Sequence, residues 1–303
     1  MKPNVPRPTA SFQNILENAA SATYVCAEKG PCIAIQNAAA SALISLHGAQ
    51  LLSYCPSHDN RERLWVSAQA VFDQNKAIRG GAPICWPWFG PNKQDKRLPA
   101  HGFVRTQTWD LIEANEIVSR DTVKQTVCRF RPKQLGLLNT PETLDVVLQI
   151  SIGETCELRL TTTNQGEHSA NLSQAIHTYF AIGDIHKVQI KGVDTSYFNK
   201  IDDSQNNLSP VPYCITSETD RVHEYPSNDP QIISLEADQA PLVHIEQHGH
   251  NGTVVWNPWI DKTAALKDMD DEDYMHMLCI EAVTEPQIEL KAGQQQVLTQ
   301  RFR

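Results

Sequence analysis

Hydrophobic and polar residues alternate most regularly in the middle of the chain. Between residues 144 and 152 every second residue is Leu, Val or Ile, which is the period of a β-strand that buries one face. A second alternating run, at residues 156–162, begins after Gly153-Glu154-Thr155 and ends before an Asn-Gln-Gly sequence. Two such runs joined by a short turn predict an antiparallel hairpin.

Shorter runs with strand character recur along the chain, and few segments favour a helix. We predict further strands near residues 42–49, 123–130, 188–190, 232–235, 243–246, 253–256, 277–282 and 297–302. A helix is expected only at residues 12–20, capped by Ser11, and a helical turn at residues 268–276, whereas residues 202–210 predict a loop. This pattern predicts an all-β sandwich or barrel rather than alternating βα units.

The composition is that of an ordinary globular protein. Of the 303 residues, 41% are hydrophobic and 20% are charged, so the chain can bury a large core. No internal repeat, flexible linker or shift in composition divides it. We therefore predict one β-domain at residues 25–303, preceded by an N-terminal extension at residues 1–24.

The charge balance argues against a nucleic acid or a membrane as partner. The chain carries 26 Lys and Arg against 35 Asp and Glu, a net charge of -9, which repels a phosphate backbone or an anionic surface. No apolar run approaches the ~20 residues that cross a bilayer, and residues 1–11 lack an apolar signal core. We expect a cytoplasmic protein, and a monomer because no heptad seam is visible.

Several classes of chemistry lack their sequence signatures. The eight cysteines include no C-x-x-C pair and are expected to be mostly buried free thiols. There is no phosphate-binding loop, dinucleotide fingerprint, nucleophile elbow or H-E-x-x-H motif. These absences disfavour ATP-driven, dinucleotide-dependent and serine-hydrolase chemistry.

The nearest approach to a metal-binding motif lies at residues 244–250. His244, Glu246, His248 and His250 would share one face of a strand, so a metal site there is geometrically possible. The same residues are also typical of an exposed polar strand and its turn, and this second interpretation is the favoured one. We therefore expect no metal.

The segment at residues 79–91 is far less ordinary. It combines an Arg-Gly-Gly start with three prolines and three aromatic residues, which suits neither a helix nor a central strand and predicts a rigid loop. Such aromatic residues can stack on the face of a sugar or can plug one end of a barrel. Arg79 and the nearby Arg105 could converge on one anion, because a guanidinium binds phosphate oxygens in pairs.

Two ionisable residues stand within apolar stretches. Glu281 lies in the run Met-Leu-Cys-Ile-Glu-Ala-Val, where an ionised carboxylate costs free energy unless it is paired or functional. His177 follows a polar loop and enters another apolar run, a position in which histidine is more often a hydrogen-bonded core residue than a catalyst. Asp220 and Arg221 by themselves would be an ordinary surface ion pair.

Taken in order, these segments resemble the motif series of the D-hexose-6-phosphate mutarotases, or glucose-6-phosphate 1-epimerases, a branch of the aldose 1-epimerase superfamily. The resemblance extends from about residue 41 to residue 281 and is specific as a set. The motifs are Arg-Gly-Gly-x-Pro at 79–83, Trp-Pro-x-Phe-Gly at 86–90, His-Gly-Phe-x-Arg at 101–105, His-Thr-Tyr-Phe at 177–180, Asp-Arg-Val at 220–222, Val-Trp-Asn-Pro-Trp at 255–259 and Cys-Ile-Glu at 279–281.

The resemblance implies a galactose-mutarotase-like β-sandwich (a supersandwich) that interconverts the α and β anomers of aldohexose 6-phosphates, glucose 6-phosphate first, without a cofactor. By the family pattern Glu281 is the general base at the C1 hydroxyl and His177 the general acid at the ring oxygen. Two such groups, contributing on the order of 10² to 10⁴ each, are a sufficient source of rate.

The resemblance also implies the substrate-binding residues. Arg79 and Arg105 would bind the phosphate, Asp220 a sugar hydroxyl, and His101 would face the sugar. Residue 100 is Ala where some relatives have a polar residue, so one substrate contact is missing. Two other functions stay open: a non-catalytic protein that binds sugar phosphates on the same fold, and a metal-dependent enzyme built on His244, His248 and His250.

Overall fold

The computed structural model describes residues 9–73, 75–120, 122–138 and 140–303, and these residues are almost entirely strands and loops. Two short helices are present among them, α1 (Ala10–Leu16) and α2 (Trp259–Ala265). Single turns of 3₁₀-helix occur at Val104–Thr106, Ile185–Lys187 and Asp273–Met275. No helix of the described residues is long and apolar enough to cross a membrane.

The strands of the first half of the chain are β1 (Ala22–Ala27), β2 (Gly30–Gln36), β3 (Ala40–Ser45), β4 (Leu51–Pro56), β5 (Ile84–Cys85), β6 (Trp109–Ser119), β7 (Thr122–Pro132), β8 (Leu144–Ile152), β9 (Cys156–Asn164) and β10 (Ala170–Leu172). Those of the second half are β11 (Ala175–Ala181), β12 (Val188–Lys191), β13 (Tyr197–Asn199), β14 (Ser204–Asn207), β15 (Tyr213–Cys214), β16 (Thr219–Glu224), β17 (Gln231–Ala237), β18 (Ala240–His248), β19 (Gly252–Asn257), β20 (Met277–Val283), β21 (Ile288–Leu290) and β22 (Gln295–Phe302).

Two large antiparallel sheets dominate the architecture. The nine-stranded sheet has the order β15-β12-β17-β18-β22-β9-β8-β7-β6, and the seven-stranded sheet has the order β14-β13-β16-β19-β20-β11-β5. Strands β1 to β4 form a sheet of their own, and β10 pairs with β21. The predicted all-β sandwich is confirmed.

The main core lies between the two large sheets. Buried side chains from both belong to one continuous cluster, in which Phe180 of the seven-stranded sheet meets Phe302 of the nine-stranded sheet edge to face, 5.2 Å between ring centroids. Strand alternation produces this arrangement, because every second residue of β8, from Leu144 to Ile152, is fully buried. The opposite face of the seven-stranded sheet is left available for the site described below.

The predicted hairpin is confirmed, since β8 and β9 pair antiparallel across Gly153. The helix predicted at residues 12–20 begins and ends earlier. Thr9, rather than Ser11, caps it by accepting a hydrogen bond from the Phe12 N–H, and the helix ends before Glu17. Thr9 can cap because its backbone is extended, whereas Ser11 is already helical.

The helical turn expected within residues 268–276 is present as the 3₁₀ turn at Asp273–Met275. Two other predictions need correction. The loop predicted at 202–210 contains β14, which pairs with β13. The strand predicted at 42–49 ends at Ser45, because Gly48 and Ala49 take positive φ angles and reverse the chain into β4. The eight cysteines are free as expected, and five of them are buried.

Candidate active site

Two neighbouring strands of the seven-stranded sheet bring His177 and Glu281 together. Strands β11 and β20 pair antiparallel so that His177 lies opposite Glu281 and Tyr179 lies opposite Cys279. Because side chains alternate along a strand, these four residues share one face of the sheet. The Nδ1 atom of His177 is 3.4 Å from Oε1 of Glu281. We call this face, away from the main core, the cleft face.

The register extends the cleft face across two more strands. Cys279 pairs with Trp256 of β19, and Trp256 pairs with Asp220 of β16. Asp220 therefore lies in the same row as Tyr179, one row from the acid and base candidates. Tyr179, Trp256 and Cys279 belong to a second, smaller cluster of buried residues on this face, which also includes Val254 and Val222.

The Arg-Gly-Gly-x-Pro segment runs along the outer edge of β11. The carbonyl oxygens of Gly81 and Pro83 accept hydrogen bonds from the backbone N–H groups of Tyr179 (2.8 Å) and His177 (3.0 Å). Gly81 has a φ of 63°, and a Cβ atom there would overlap the carbonyl oxygen of Leu51, so glycine is required at this position. The segment thereby holds Arg79 beside the catalytic candidates.

The guanidinium of Arg79 is fixed on both sides. Its Nη1 donates to the Tyr179 hydroxyl at 3.1 Å, and its Nε donates to Asp268 Oδ2 at 3.1 Å. The backbone around it is held by the buried Gln50, whose Nε2 donates to the carbonyl oxygens of Ile78 and Gly80. Arg79 is therefore oriented before any ligand binds.

His101 approaches His177 from a tight turn. The turn needs Gly102, because a Cβ atom at this positive φ would overlap the Trp86 carbonyl oxygen. The His101 ring lies 6.0 Å from the His177 ring and 5.0 Å from the Phe89 ring between centroids. Its Nδ1 accepts a hydrogen bond from the Gly90 N–H at 3.3 Å, which fixes its orientation.

A basic cavity of about 320 Å³ adjoins the cleft face. Arg79 and Arg105, the two arginines expected to converge on one anion, both line it, with Tyr179 between them and the catalytic candidates. Arg105 donates one hydrogen bond, from Nη2 to the Ala100 carbonyl oxygen at 3.0 Å. The other charged residues that line the cavity are Lys76, Lys267 and Asp268.

The two interpretations of the aromatic loop apply to different residues of it. Trp86 is fully buried and donates its indole N–H to Thr162 Oγ1 at 3.0 Å, so it belongs to the core. Phe89 instead packs against His101 on the cleft side, and the Lys200 ammonium lies 4.4 Å from the centroid of its ring. Phe89 is therefore the aromatic residue of this loop that lies beside His101 in the candidate site.

Sequence reasoning missed four residues of the site. Tyr179 stacks parallel on His177 at 4.8 Å, and Trp256 meets both rings edge to face. Lys200 Nζ lies 3.8 Å from Asp220 Oδ1, and Asp268 holds Arg79. Because side chains two residues apart on a strand share one face, the sequence could have indicated that Tyr179 lies beside His177. Lys200 and Asp268 carry no such signal, because they approach from loops that only the fold brings near.

Burial shifts the two central groups in opposite directions. The carboxyl of Glu281 is 1% exposed, and this desolvation raises its pKa well above the ordinary value, against the opposing charges of Lys200 and Arg105. Burial also lowers the pKa of His177 well below its ordinary value, and the positive charges around it act in the same direction. Both groups are thus driven toward their neutral forms.

The central pair also has polar atoms without partners. His177 Nδ1 and Glu281 Oε2 are buried and make no hydrogen bond to the described residues. The flanking groups are shifted too: burial, with the charge of Arg105, lowers the pKa of His101 to about 3, and burial raises the pKa of Asp220. Unpartnered buried polar atoms next to a cavity are typical of a place where a ligand supplies the missing contacts.

The histidines at 244–250 are not brought together. His248 Nε2 lies 2.6 Å from Glu246 Oε1, whereas His250 is buried with its Nε2 2.9 Å from Gln231 Oε1. Within the described part of the chain, the group of three or more possible metal ligands is His177, Cys279 and Glu281. None of the three histidines belongs to it.

A comparison with known protein families gives this site a context. The family described as Aldose 1-epimerase matches residues 31–303, which include every residue of the cleft face. The chain belongs to the aldose 1-epimerase family. It is accordingly a sugar epimerase, and the resemblance found in its motifs is confirmed.

Individual relatives agree with the family. A protein of Escherichia coli strain K12 named "Putative glucose-6-phosphate 1-epimerase" is 34% identical over 82% of this chain and 81% of its own length. A protein of the same name from Cenchrus ciliaris is 31% identical over 83% and 78%. The crystal structure of a "putative mutarotase (YeaD)" from Salmonella typhimurium superposes with a TM-score of 0.81 at 27% identity, covering 94% of this chain and 93% of that one.

Proposed function

We propose that this protein interconverts the α and β anomers of aldohexose 6-phosphates, with glucose 6-phosphate as the first substrate to test. The observation that carries the proposal is the His177–Glu281 pair, 3.4 Å apart with unpartnered polar atoms on a buried cleft face. The names of the relatives from Escherichia coli and Cenchrus ciliaris support the same substrate.

The reaction needs one acid and one base near a single carbon. Ionised Glu281 takes the proton of the C1 hydroxyl, and the C1–O5 bond breaks with its electron pair going to O5 while C1 becomes a carbonyl. Protonated His177 gives its proton to O5. Because both oxygens are attached to C1, the acid and the base must lie close together, and the 3.4 Å between them meets this requirement.

Ring closure reverses the same transfers on the other face of the carbonyl. After rotation about the C1–C2 bond, neutral His177 takes the proton from the O5 hydroxyl as O5 attacks C1. Glu281 then returns its proton to the carbonyl oxygen, and the opposite anomer results. No electrons enter or leave the substrate, so the proton movements between these two side chains balance the reaction.

The burial of the pair has a role in this cycle. Before ring opening the pair is charged, with ionised Glu281 and protonated His177, and after it both groups are neutral. Burial favours the neutral forms, so the environment stabilises the open-chain stage relative to the start. Lys200 and Arg105 oppose full neutralisation of Glu281, which keeps the ionised base accessible.

The basic cavity is the proposed phosphate site. Arg79 and Arg105 line it together, and Arg79 is already oriented by Tyr179 and Asp268. A hydrogen bond to a charged group contributes about 1.5 to 3 kcal/mol, so two arginines can favour a phosphorylated over a free sugar by roughly 10² or more. Asp220 and His101 face the same cleft and are proposed to contact the sugar.

Two-dimensional exchange NMR of the anomeric protons tests the proposal, because it observes both anomers at equilibrium. We expect faster exchange for glucose 6-phosphate than for free glucose or galactose. The Glu281→Gln protein, prepared identically, controls for an epimerase contributed by the expression host. No acceleration for any of these sugars would overturn the proposal and favour a sugar-phosphate-binding protein without catalysis.

A further inference from the structure

The cleft face carries a thiol that the proposed reaction does not use. Cys279 lies two residues before Glu281 on β20 and opposite Tyr179 of β11, so its side chain shares the face of the acid and the base. One ligand atom from each of His177, Cys279 and Glu281 lies within 4.8 Å of the other two. An imidazole, a thiol and a carboxylate thus meet at one point.

The dimensions of this group suit a small divalent cation. Zinc binds nitrogen, sulfur and oxygen at about 2.0 to 2.3 Å, so neighbouring ligands of a tetrahedral site stand roughly 3.3 to 3.8 Å apart. His177 Nδ1 and Glu281 Oε1 are 3.4 Å apart, and the widest separation in the group exceeds this range by about 1 Å. Binding at zinc distances therefore requires these side chains to rotate toward one another.

The polar atoms of the group are open to coordination. His177 Nδ1 and Glu281 Oε2 are buried and have no hydrogen-bond partner among the described residues, and all three residues are at least nine-tenths buried. The carboxylate and the thiolate together carry two negative charges, which one divalent cation neutralises. A buried site of zero net charge avoids the desolvation cost that either anion would meet alone.

We propose that His177, Cys279 and Glu281 form a zinc-binding site through which Zn²⁺ inhibits the epimerase. A thiolate ligand favours zinc over magnesium or calcium, which prefer oxygen. On binding, the Cys279 thiol releases its proton to solvent. Three protein ligands leave the fourth position of the tetrahedron to water.

Inhibition follows from the ligands themselves. Zn²⁺ occupies the lone pairs that Glu281 uses to accept the substrate proton and that His177 uses to exchange one. The inhibition therefore rests on the proposed function, whereas binding of the metal does not. The two are separated by measuring metal binding and anomer exchange independently.

Cobalt(II) is the probe for binding, because a thiolate ligand gives it a charge-transfer absorption in the near ultraviolet. Metal-free protein titrated with Co²⁺ is expected to show this band, and Zn²⁺ is expected to abolish it by displacement. Glucose 6-phosphate in excess should weaken cobalt binding, because sugar and metal compete for the same groups. A cobalt complex without a thiolate band would overturn the site.

Matched cysteine variants assign the band. Cys279→Ser should abolish it and weaken zinc inhibition of exchange by about 10²-fold, since one of three ligands is lost. Cys85→Ser, which changes another buried cysteine beneath the same cleft, should retain both the band and the inhibition. Inhibition that is equally strong in Cys279→Ser would overturn the proposal.

Each failure has its own signature. Metal-free protein that exchanges no anomers contradicts the proposed function, while the cobalt band still tests the site. Normal exchange that Zn²⁺ leaves unchanged contradicts the inhibitory site. Should Cys279→Ser fail to fold, as judged by circular dichroism, the wild-type cobalt spectrum and its competition by glucose 6-phosphate decide between these outcomes.

Discussion

The two faces of the seven-stranded sheet treat their polar residues in opposite ways. On the core face, Thr178 donates its hydroxyl to Gln300 Oε1, and Gln300 Nε2 donates to the Ile280 carbonyl oxygen at 2.9 Å. On the cleft face, the adjacent His177 and Glu281 keep buried atoms without partners. One residue along the strand therefore separates a closed hydrogen-bond network from an open one, and the open one marks the site.

His223 shows how a histidine looks when the fold satisfies it. Its Nε2 lies 2.8 Å from the Tyr213 hydroxyl and its Nδ1 lies 3.2 Å from the Thr195 carbonyl oxygen, which fits a neutral ring that donates from Nδ1 and accepts at Nε2. His177 is also buried, but its Nδ1 has no hydrogen-bond partner among the described residues. Burial alone thus does not distinguish these two histidines, whereas their hydrogen-bond partners do.

Among substitutions on the cleft face, the one that removes the proposed base, Glu281, should have the largest effect on anomer exchange. Glu281→Gln keeps the shape of the side chain but cannot accept a proton, so anomer exchange of glucose 6-phosphate should fall by about 10² to 10⁴. Exchange NMR measures this loss. Glu246→Gln, a carboxylate of the other sheet bonded to His248, is the matched control and should exchange normally. A fully active Glu281→Gln protein would remove Glu281 from the mechanism.

Removing the acid tests whether the pair acts as a unit. His177→Asn should reduce exchange by about 10² to 10³, and the double variant with Glu281→Gln should lose little more than the worse single variant, because the one ring-opening step requires both proton transfers. Exchange rates of the wild type, the two single variants and the double variant form the cycle. Losses that simply multiply would show that the two residues act independently.

Substitutions in the basic cavity should change the preference of the protein for glucose 6-phosphate over free glucose. Arg79→Ala and Arg105→Ala should each slow exchange of glucose 6-phosphate by roughly 10-fold to 10²-fold relative to free glucose, since each removes one charge-assisted contact to the phosphate. Arg129→Ala, which removes a half-exposed arginine paired with Glu113 on the nine-stranded sheet, is the control. Equal losses on both sugars would separate these arginines from phosphate binding.

Removing a hydrogen bond on the core face should reduce the stability of the protein and leave its activity unchanged. Thr178→Val keeps the volume but leaves Gln300 Oε1 unpaired, which should lower the free energy of unfolding by about 1 to 3 kcal/mol. Urea denaturation measures this change, with Thr163→Val, a partly exposed threonine of β9, as the control. Exchange that falls as far as in His177→Asn would contradict a purely structural role.

The hydrogen-bonded histidine, His223, should affect how the stability of the fold depends on pH. Burial, reinforced by the charge of Arg221, lowers the pKa of His223 to about 4. Unfolded chains therefore bind the extra proton between about pH 6.5 and 4, and the stability present above pH 6.5 falls as the pH decreases. His223→Gln should reduce this slope by about 1.4 kcal/mol per pH unit. An unchanged slope in urea denaturation across this range would contradict the assignment.

The fold was largely predictable because strand alternation is a local property. The hairpin of β8 and β9 follows from residues 144–162 alone, and the all-β class follows from the number of such runs. The errors occur where alternation continues through a turn, as at Gly48 and Ala49, or where short polar segments pair, as in β14. Those outcomes depend on backbone conformation and on a neighbouring strand.

The candidate site divides in the same way. The unusual carboxylate Glu281 is visible in the sequence because it interrupts an apolar strand, and the motif series identifies the family. Lys200 and Asp268 were invisible because nothing in their own segments indicates which side chains they meet. The metal-ligand group was also missed, since Cys279 and Glu281 acquire their third partner only through the pairing of β20 with β11.

By itself the sequence determined the class of fold and the family, and it singled out Glu281 and His177 as candidates for the base and the acid. Only the tertiary structure decided that His177 stands 3.4 Å from Glu281 while His250, in the more obvious histidine cluster, is buried against Gln231. The reason is physical: composition and periodicity are properties of single segments. A site arises from the register between strands that are distant in the chain, which the cooperative packing of both sheets fixes.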